Sequence, residues 1–520
     1  MTDTVKKMAL NRKTYKYFTP KISSINAGLS EKEKLEFAYK KFVLADVFQN
    51  GMILEAEKPF SVWGLGKGGE LLTVTLKKGD SVIEKIAGKI PADNSFRTEF
   101  SAVPASFDEY TLEAEANGEK IKIENILFGK VFFAGGQSNM EWKVAWMYNA
   151  NEFVSESLNK YVRIYQTESH PLDGGQGAEY PLKPQFFGSA GKWLDGSNAN
   201  DVYAATAIGY VFATEMFKLY GETSPIGIVN TSVGGTYAEN WLSREALESD
   251  DSLSALAKAL GKYIPENDWN MKGEDNFGQM SANYNLKIAP IRYCRFRGII
   301  WYQGENNVTD CNYDFFEKIN ARLISMFRKT FRMTDGAMIA AMIAPRKYFA
   351  DETRLGSFFV SQAKLQNSKT LKTGVIAQYD IPVKAVSGLP ENEYHPTDKI
   401  PLGKRMAAAM YRLEKQTLSG ISPQAKTPSY ENGELKIPIA YTDRIETIDE
   451  NRTESGIEVL LNEAWEKVPR GDIAYKDGRI VFKTEKPRVV RYNYTQLQTD
   501  GNIRSTDGFP LLPFMYPIKS

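Results

Sequence analysis

The chain of 520 residues contains only two histidines, His170 and His395, and two cysteines, Cys294 and Cys311. Two histidines argue against a His-rich metal site, and the sequence holds neither an H-E-x-x-H motif nor a P-loop. The cysteine spacing fits no zinc or redox motif. Two buried free thiols are the simplest reading, and so few cysteines fit a reducing compartment. Charge of one sign is lacking as well. Sixty-five Lys and Arg face 64 Asp and Glu, for a formal net charge of +1, which gives no reason to expect a nucleic acid or an anionic membrane as partner. Long apolar runs are missing: the longest, residues 336–344, stops at Pro345 and is far too short to span a bilayer. No apolar stretch follows the basic residues at the N-terminus, so no signal peptide is expected and the expected location is the cytoplasm. There is no internal repeat and no low-complexity tract.

What is present is an ordinary globular composition, 42% hydrophobic and 25% charged, in a chain long enough for several domains. Residues 1–40 are polar and Lys-rich and form an N-terminal extension. Residues 41–126 show short alternating runs, such as Leu72-Thr73-Val74-Thr75-Leu76, punctuated by turns such as Asn117-Gly118; they predict a β-sandwich or jelly-roll domain. Residues 127–416 change character. Buried-type strands at 130–134, 162–166, 226–230, 298–302, 337–343 and 374–378 alternate with helices at 205–220, 313–330, 357–367 and 397–415. That alternation predicts an α/β domain with a parallel sheet covered on both faces, a three-layer arrangement. Residues 142–160 and 243–290 read as long irregular loops. Residues 417–520 return to short strands, a C-terminal β-rich region. Gly64-Leu65-Gly66-Lys67-Gly68-Gly69 matches G-x-G-x-x-G, but an alternating strand follows where a dinucleotide site needs a helix. It is a hairpin loop.

Three polar clusters follow directly on buried strands. Ser138 comes after 130–134 and the turn Ala134-Gly135-Gly136. A helix starting near Asn139 would aim its first N–H groups at an oxyanion. The second cluster is Asn230-Thr231-Ser232-Val233-Gly234-Gly235-Thr236, whose glycines let the backbone approach a ligand and expose an N–H. The third is Trp301-Tyr302-Gln303-Gly304-Glu305-Asn306-Asn307, where Asn307 can donate a side-chain N–H. Ends of parallel strands converge on one edge of a sheet, where open α/β sheets bind ligands. A serine nucleophile needs a base. His170 and His395 sit in similar contexts, each with a carboxylate two residues before and a proline after. His395, in a loop just before a helix, is the better placed, and His170 stays open. The G-x-S-x-G elbow is absent, so a different hydrolase class is required.

These blocks carry a resemblance. Gly136-Gln137-Ser138-Asn139-Met140-Glu141-Trp142 resembles the nucleophile block of the sialate O-acetylesterase family, within the SGNH hydrolases. Val233-Gly234-Gly235-Thr236 with Glu239 and Trp241 resembles its glycine block. Trp301-Tyr302-Gln303-Gly304-Glu305 with Asn307 resembles its asparagine block, and His395-Pro396 with Lys399 and Gly403-Lys404-Arg405 its histidine block. The resemblance implies an SGNH-like three-layer sheet with flanking all-β domains and a serine esterase that removes acetyl groups from sugars, with no metal or cofactor. It implies Ser138 as nucleophile and His395 as base. The oxyanion donors would be the N–H of Ser138, that of Gly234 or Gly235, and the Asn307 side chain. Glu393, two residues before His395, stands where the family often has Asp; it is either the acid of a triad or a bystander to a Ser–His dyad. Gln137, Trp142, Trp301, Gln303 and Glu305 are candidates for substrate contact, since the aromatic blocks suit stacking on an acetylated mono- or oligosaccharide. Two alternatives remain open: a non-catalytic carbohydrate-binding protein on an esterase fold, and a lipase or thioesterase of the same superfamily. Oligomeric state is not legible. Replacing His395 is expected to abolish ester turnover, and replacing His170 to change it little. The opposite result in a p-nitrophenyl acetate assay would exchange their roles.

Overall fold

The computed structural model describes residues 42–519, apart from 168–181, 183, 186–190, 270–278, 311, 334, 335, 350, 352, 367–371, 383, 385–393, 416, 418, 419, 496 and 499. The chain begins with short strands: β1 (Val43–Leu44), β2 (Ile53–Glu55), β3 (Phe60–Leu65), β4 (Leu71–Lys78), β5 (Ser81–Lys89), β6 (Ser95–Phe100) and β7 (Ser106–Ala116). β3 lies between β1 and β6 in one antiparallel sheet, and β4 pairs with β5 and β7. In β4, Leu72, Val74 and Leu76 are buried at alternate positions, the pattern of a strand with one face on a core.

β8 (Glu119–Gly136) then runs through two environments. Its first part pairs antiparallel with β7; its second part pairs parallel with β11 (Ile226–Asn230) and β12 (Gly298–Tyr302). Burial switches from alternating to continuous near Ile126, because beyond that point both faces of the strand are covered. The division expected at 126/127 therefore falls inside one unbroken strand, and the β-rich part is built onto the central sheet.

The central sheet also contains β9 (Val162–Thr167), β10 (Gly191–Asp195), β13 (Ala337–Ala341) and β14 (Thr373–Ile376), in the order β10-β9-β11-β8-β12-β13-β14. All neighbours are parallel except β10, which is antiparallel to β9. The sheet is thus mixed rather than wholly parallel. The antiparallel edge strand was missed because only Trp193 and Leu194 of its five residues are buried, too few to set a pattern. Helices Ala207–Leu219, Tyr313–Thr330, Arg354–Lys364 and Ile400–Glu414 fall close to the expected positions. Adjacent residues of β8 point to opposite faces. Phe132 meets Phe212 of helix Ala207–Leu219, at 5.1 Å between ring centroids, and Phe133 meets Phe327 of helix Tyr313–Thr330, at 5.4 Å. Those two contacts define the three layers.

The segments expected to be irregular contain short helices, Ala150–Ser157, Arg244–Glu248 and Asp251–Ala259. Ala150–Ser157 and Arg244–Glu248 bury only Val154 and Leu247 respectively, so hydrophobic periodicity was too thin to reveal them. Side-chain caps do more: Ser243 accepts from the Ala246 N–H and Asp250 from the Leu253 N–H. The C-terminal strands enclose a second core that includes Leu435, Ile437, Ile457, Val459, Val490, Tyr492 and Phe514. The Tyr379 hydroxyl, just after β14, joins it to the central sheet through Tyr492 Oη (2.9 Å) and the carbonyl of Leu511 (3.0 Å).

Glu55 fastens the N-terminal strands to the sheet. Its buried carboxylate accepts the Val131 N–H at 2.7 Å and Arg297 Nε at 2.9 Å. Removing Arg297 would leave this carboxylate with the Val131 N–H and the partly exposed Lys58 ammonium at 3.8 Å, a poorly compensated buried charge. Arg297→Ala is therefore expected to lose about 3 kcal/mol of stability, read as a lower denaturant midpoint, with part recovered on adding Glu55→Gln.

Candidate active site

β8 ends at Gly136, whose φ is +133°. A Cβ there would stand 2.0 Å from the Tyr302 carbonyl oxygen on β12, so only glycine fits. The Gln137 N–H donates to that carbonyl at 3.0 Å, and the Gln137 carbonyl accepts from Met140 and Glu141. The chain is thereby turned at once into the helical turn Ser138–Glu141. Ser138 opens this turn at the carboxyl edge of the sheet.

His395 arrives from the far side of the sheet, after β14. Its Nε2 lies 2.7 Å from Ser138 Oγ. The indole of Trp142 stacks on the imidazole, with centroids 5.0 Å apart and planes 20° from parallel. Burial, then the positive charges of Lys399 and Arg346, push the imidazole down to about 4. A neutral ring can accept a proton from the serine. The loop is pinned on both sides: Thr397 Oγ1 donates to the Lys384 carbonyl at 2.5 Å, and Arg405 grips Asp380 with two hydrogen bonds of 2.7 and 2.6 Å. Glu393 and His170 lie outside the described residues.

The glycine cluster follows β11. Val233 N–H donates to the Gly136 carbonyl at 3.0 Å. A Cβ on Gly234 would approach Ser138 Cβ to 3.4 Å, so this residue packs closely against Ser138. Its N–H, however, donates to Glu141 Oε2 at 2.7 Å. The expected choice between Gly234 and Gly235 is thus narrowed, because the Gly234 donor is already engaged. Among the described residues neither the Ser138 nor the Gly235 N–H has an acceptor. The Asn307 amide is held by its neighbours: Oδ1 accepts from the Ala238 N–H and Gln303 Nε2, and Nδ2 donates to Glu239 Oε2 at 2.9 Å. Glu239 in turn meets Lys262 Nζ at 2.5 Å.

The residues expected to touch substrate are placed otherwise. Gln137, Trp301, Gln303 and Glu305 are all buried. Gln137 Oε1 accepts from the Gly304 N–H and Gln303 Nε2, and Trp301 packs between Trp241 and Phe327. These four side chains support the strand ends from beneath. Their burial could not be read beforehand, because a buried polar or aromatic residue at a strand end looks the same in sequence as an exposed one. Trp142 is also buried, against His395.

Asn139, beside Ser138, joins three elements. Its Nδ2 donates to Glu305 Oε1 and, at 2.8 Å, to the Tyr394 carbonyl; its Oδ1 accepts from Lys399 Nζ at 2.5 Å. Burial raises the Glu305 carboxyl and lowers the Lys399 ammonium. The signal available was position: a polar residue beside the nucleophile, in a turn with a buried Met140.

The mixed sheet and its two helical layers, with the blocks gathered at its carboxyl edge, make a three-layer fold of the SGNH type. Residues 129–412 match the family model of carbohydrate esterases described as sialic acid-specific acetylesterases, and the chain belongs to that family. It is 26% identical over 318 residues to the sialate O-acetylesterase of Mus musculus, covering 56% of each chain. It is 27% identical over 300 residues to that of Homo sapiens, covering 56% of this chain and 53% of the human one. The chain thus matches little more than half the length of these curated relatives. In fold it is similar to a carbohydrate acetylesterase from Xanthomonas citri, with a TM-score of 0.76 and 22% identity over 91% of this chain and 99% of that one.

The position of His395 can be checked directly. In a His170→Gln protein one imidazole remains, and its NMR titration should centre near pH 4, below the ordinary histidine value of about 6.5. A midpoint at or above 6.5 would contradict the desolvated, cation-flanked environment.

Proposed function

We propose that the protein is a serine esterase that hydrolyses O-acetyl esters of sugars, with Ser138 as nucleophile and His395 as general base. The observation that carries this reading is the 2.7 Å contact between Ser138 Oγ and His395 Nε2, with the imidazole held neutral. Ser138 Oγ attacks the acetyl carbonyl as its proton passes to Nε2. The N–H groups of Ser138 and Gly235, with the Asn307 amide, receive the oxyanion. Collapse expels the sugar alkoxide, which takes the proton back from His395 and leaves an acetyl-serine. Water, deprotonated by the same nitrogen, then releases acetate and restores Ser138. Glu393 is the candidate to orient the imidazole.

Family membership supports an acetylated sugar as substrate, and the names of the mouse and human relatives favour an O-acetylated sialic acid. Other acetylated oligosaccharides belong in the same assay. The intact Ser138–His395 pair speaks against a purely binding role. Acetate release should be measured on a panel of O-acetylated sialic acids and acetylated xylo-oligosaccharides. Ser138→Ala is expected to lower kcat by at least about 10⁴-fold with an unchanged far-UV circular dichroism spectrum. Substantial residual turnover in a folded variant would remove Ser138 from this role.

A further inference from the structure

The mechanism above uses the serine and the histidine but not the buried polar cluster behind them. Asn139, Glu305 and Lys399 are each buried, at 0%, 6% and 1% exposure, and come from three different segments: the turn after β8, the loop after β12, and the segment that carries His395. Lys399 Nζ reaches Asn139 Oδ1 at 2.5 Å, and Asn139 Nδ2 reaches Glu305 Oε1 and the carbonyl of Tyr394, the residue before His395. Lys399 Nζ also lies 5.6 Å from the ring of Trp142, which stacks on the imidazole, and 5.8 Å from the ring of Tyr302. A long cationic side chain with so little solvent contact is costly to bury unless hydrogen bonds and nearby opposite charge offset the lost water.

We propose that Lys399, acting through Asn139, is the positioning residue that holds the Ser138 turn and the His395 loop in register. The ammonium fixes the Asn139 amide with its oxygen toward Lys399. The two amide N–H groups then bind the Glu305 loop and the backbone beside His395. The same charge faces the imidazole. The ionisable groups around Lys399 are Glu305 on the asparagine-block loop, Asp398 on its own segment, Tyr302 on β12 and His395 itself; the other cation acting on His395 is Arg346. This inference rests on the Ser138–His395 reading.

The test is Lys399→Met, which keeps length and removes the charge, assayed for acetate release over a range of pH. Loss of register should lower kcat by about 10²-fold with KM changed less than threefold. Loss of the positive charge should move the acid limb of kcat/KM upward by about one pH unit, which a purely structural role would not do. Asn139→Ser cuts the same link from the other end and covers the case in which Lys399→Met does not fold; it should show the same loss of kcat. Either variant, folded and with kcat within twofold of the parent, overturns the proposal, as does a Lys399→Met acid limb that does not move. Wild-type and Ser138→Ala proteins run beside them keep the two ideas apart. An inactive wild type, or an active Ser138→Ala, defeats the esterase reading, whereas an active wild type matched by Lys399→Met defeats only this one.

Discussion

The buried Asn139 side chain makes three hydrogen bonds, one to the Glu305 loop and two to the segment that carries His395. An unpaired polar group in such a place costs about 1–3 kcal/mol. The amide therefore constrains the Ser138 turn, the Glu305 loop and the Tyr394 carbonyl together, because moving any of them away strands a donor or an acceptor. A site assembled from loops would ordinarily be soft. Here the loops are bound to one another by groups that cannot turn to solvent for replacement, and the Ser138–His395 distance inherits that stiffness.

The sheet beneath supplies what the amide cannot. β8 is flanked by β11 and β12, so its carboxyl end meets theirs side by side. The glycine cluster after β11 and the asparagine block after β12 are therefore the nearest neighbours of Ser138 by topology alone. Gly136 brings the Ser138 turn closer still, since its missing side chain lets the backbone rest on Tyr302. Gly234 does the same from the other side. A buried chain of polar side chains, Gln137, Gln303, Asn307 and Glu239, then links the three strand ends. Each hydrogen bond in that chain has a modest net value, yet each is expensive to leave unmade.

This division explains what the sequence could and could not disclose. The strands from Ile226 to Asn230 and from Gly298 to Tyr302, and the helix Tyr313–Thr330, were legible because burial on both faces, or on one helical face, writes a long apolar signal. β10 was not, because an edge strand with two buried residues writes almost none. Ser138, Asn307 and His395 could be singled out because few residue types suit the chemistry proposed for them, and glycines or strand ends mark their places. The burial of Trp301 and Gln303 was not legible, since a residue type suited to binding sugar is equally suited to packing a core, and only the fold decides. Asn139 and Lys399 went unread because their importance lies in partners 166 and 260 residues away in sequence.

The electrostatics of the site pull in two directions. Lys399 and Arg346 make His395 a weaker base, yet positive charge near Ser138 favours the negative oxygen that forms as the ester is attacked. In a poorly solvated site both effects are larger than they would be in water. A carboxylate near Nδ1 would offset the first without cancelling the second, since it would act on the far nitrogen of the ring rather than at the reacting oxygen. In the esterase proposed here, that would be the task of an acid at Glu393: to restore basicity to an imidazole that its surroundings have depressed. The Glu141 carboxylate cannot take that task, because it binds the Gly234 N–H on the glycine-cluster side of Ser138.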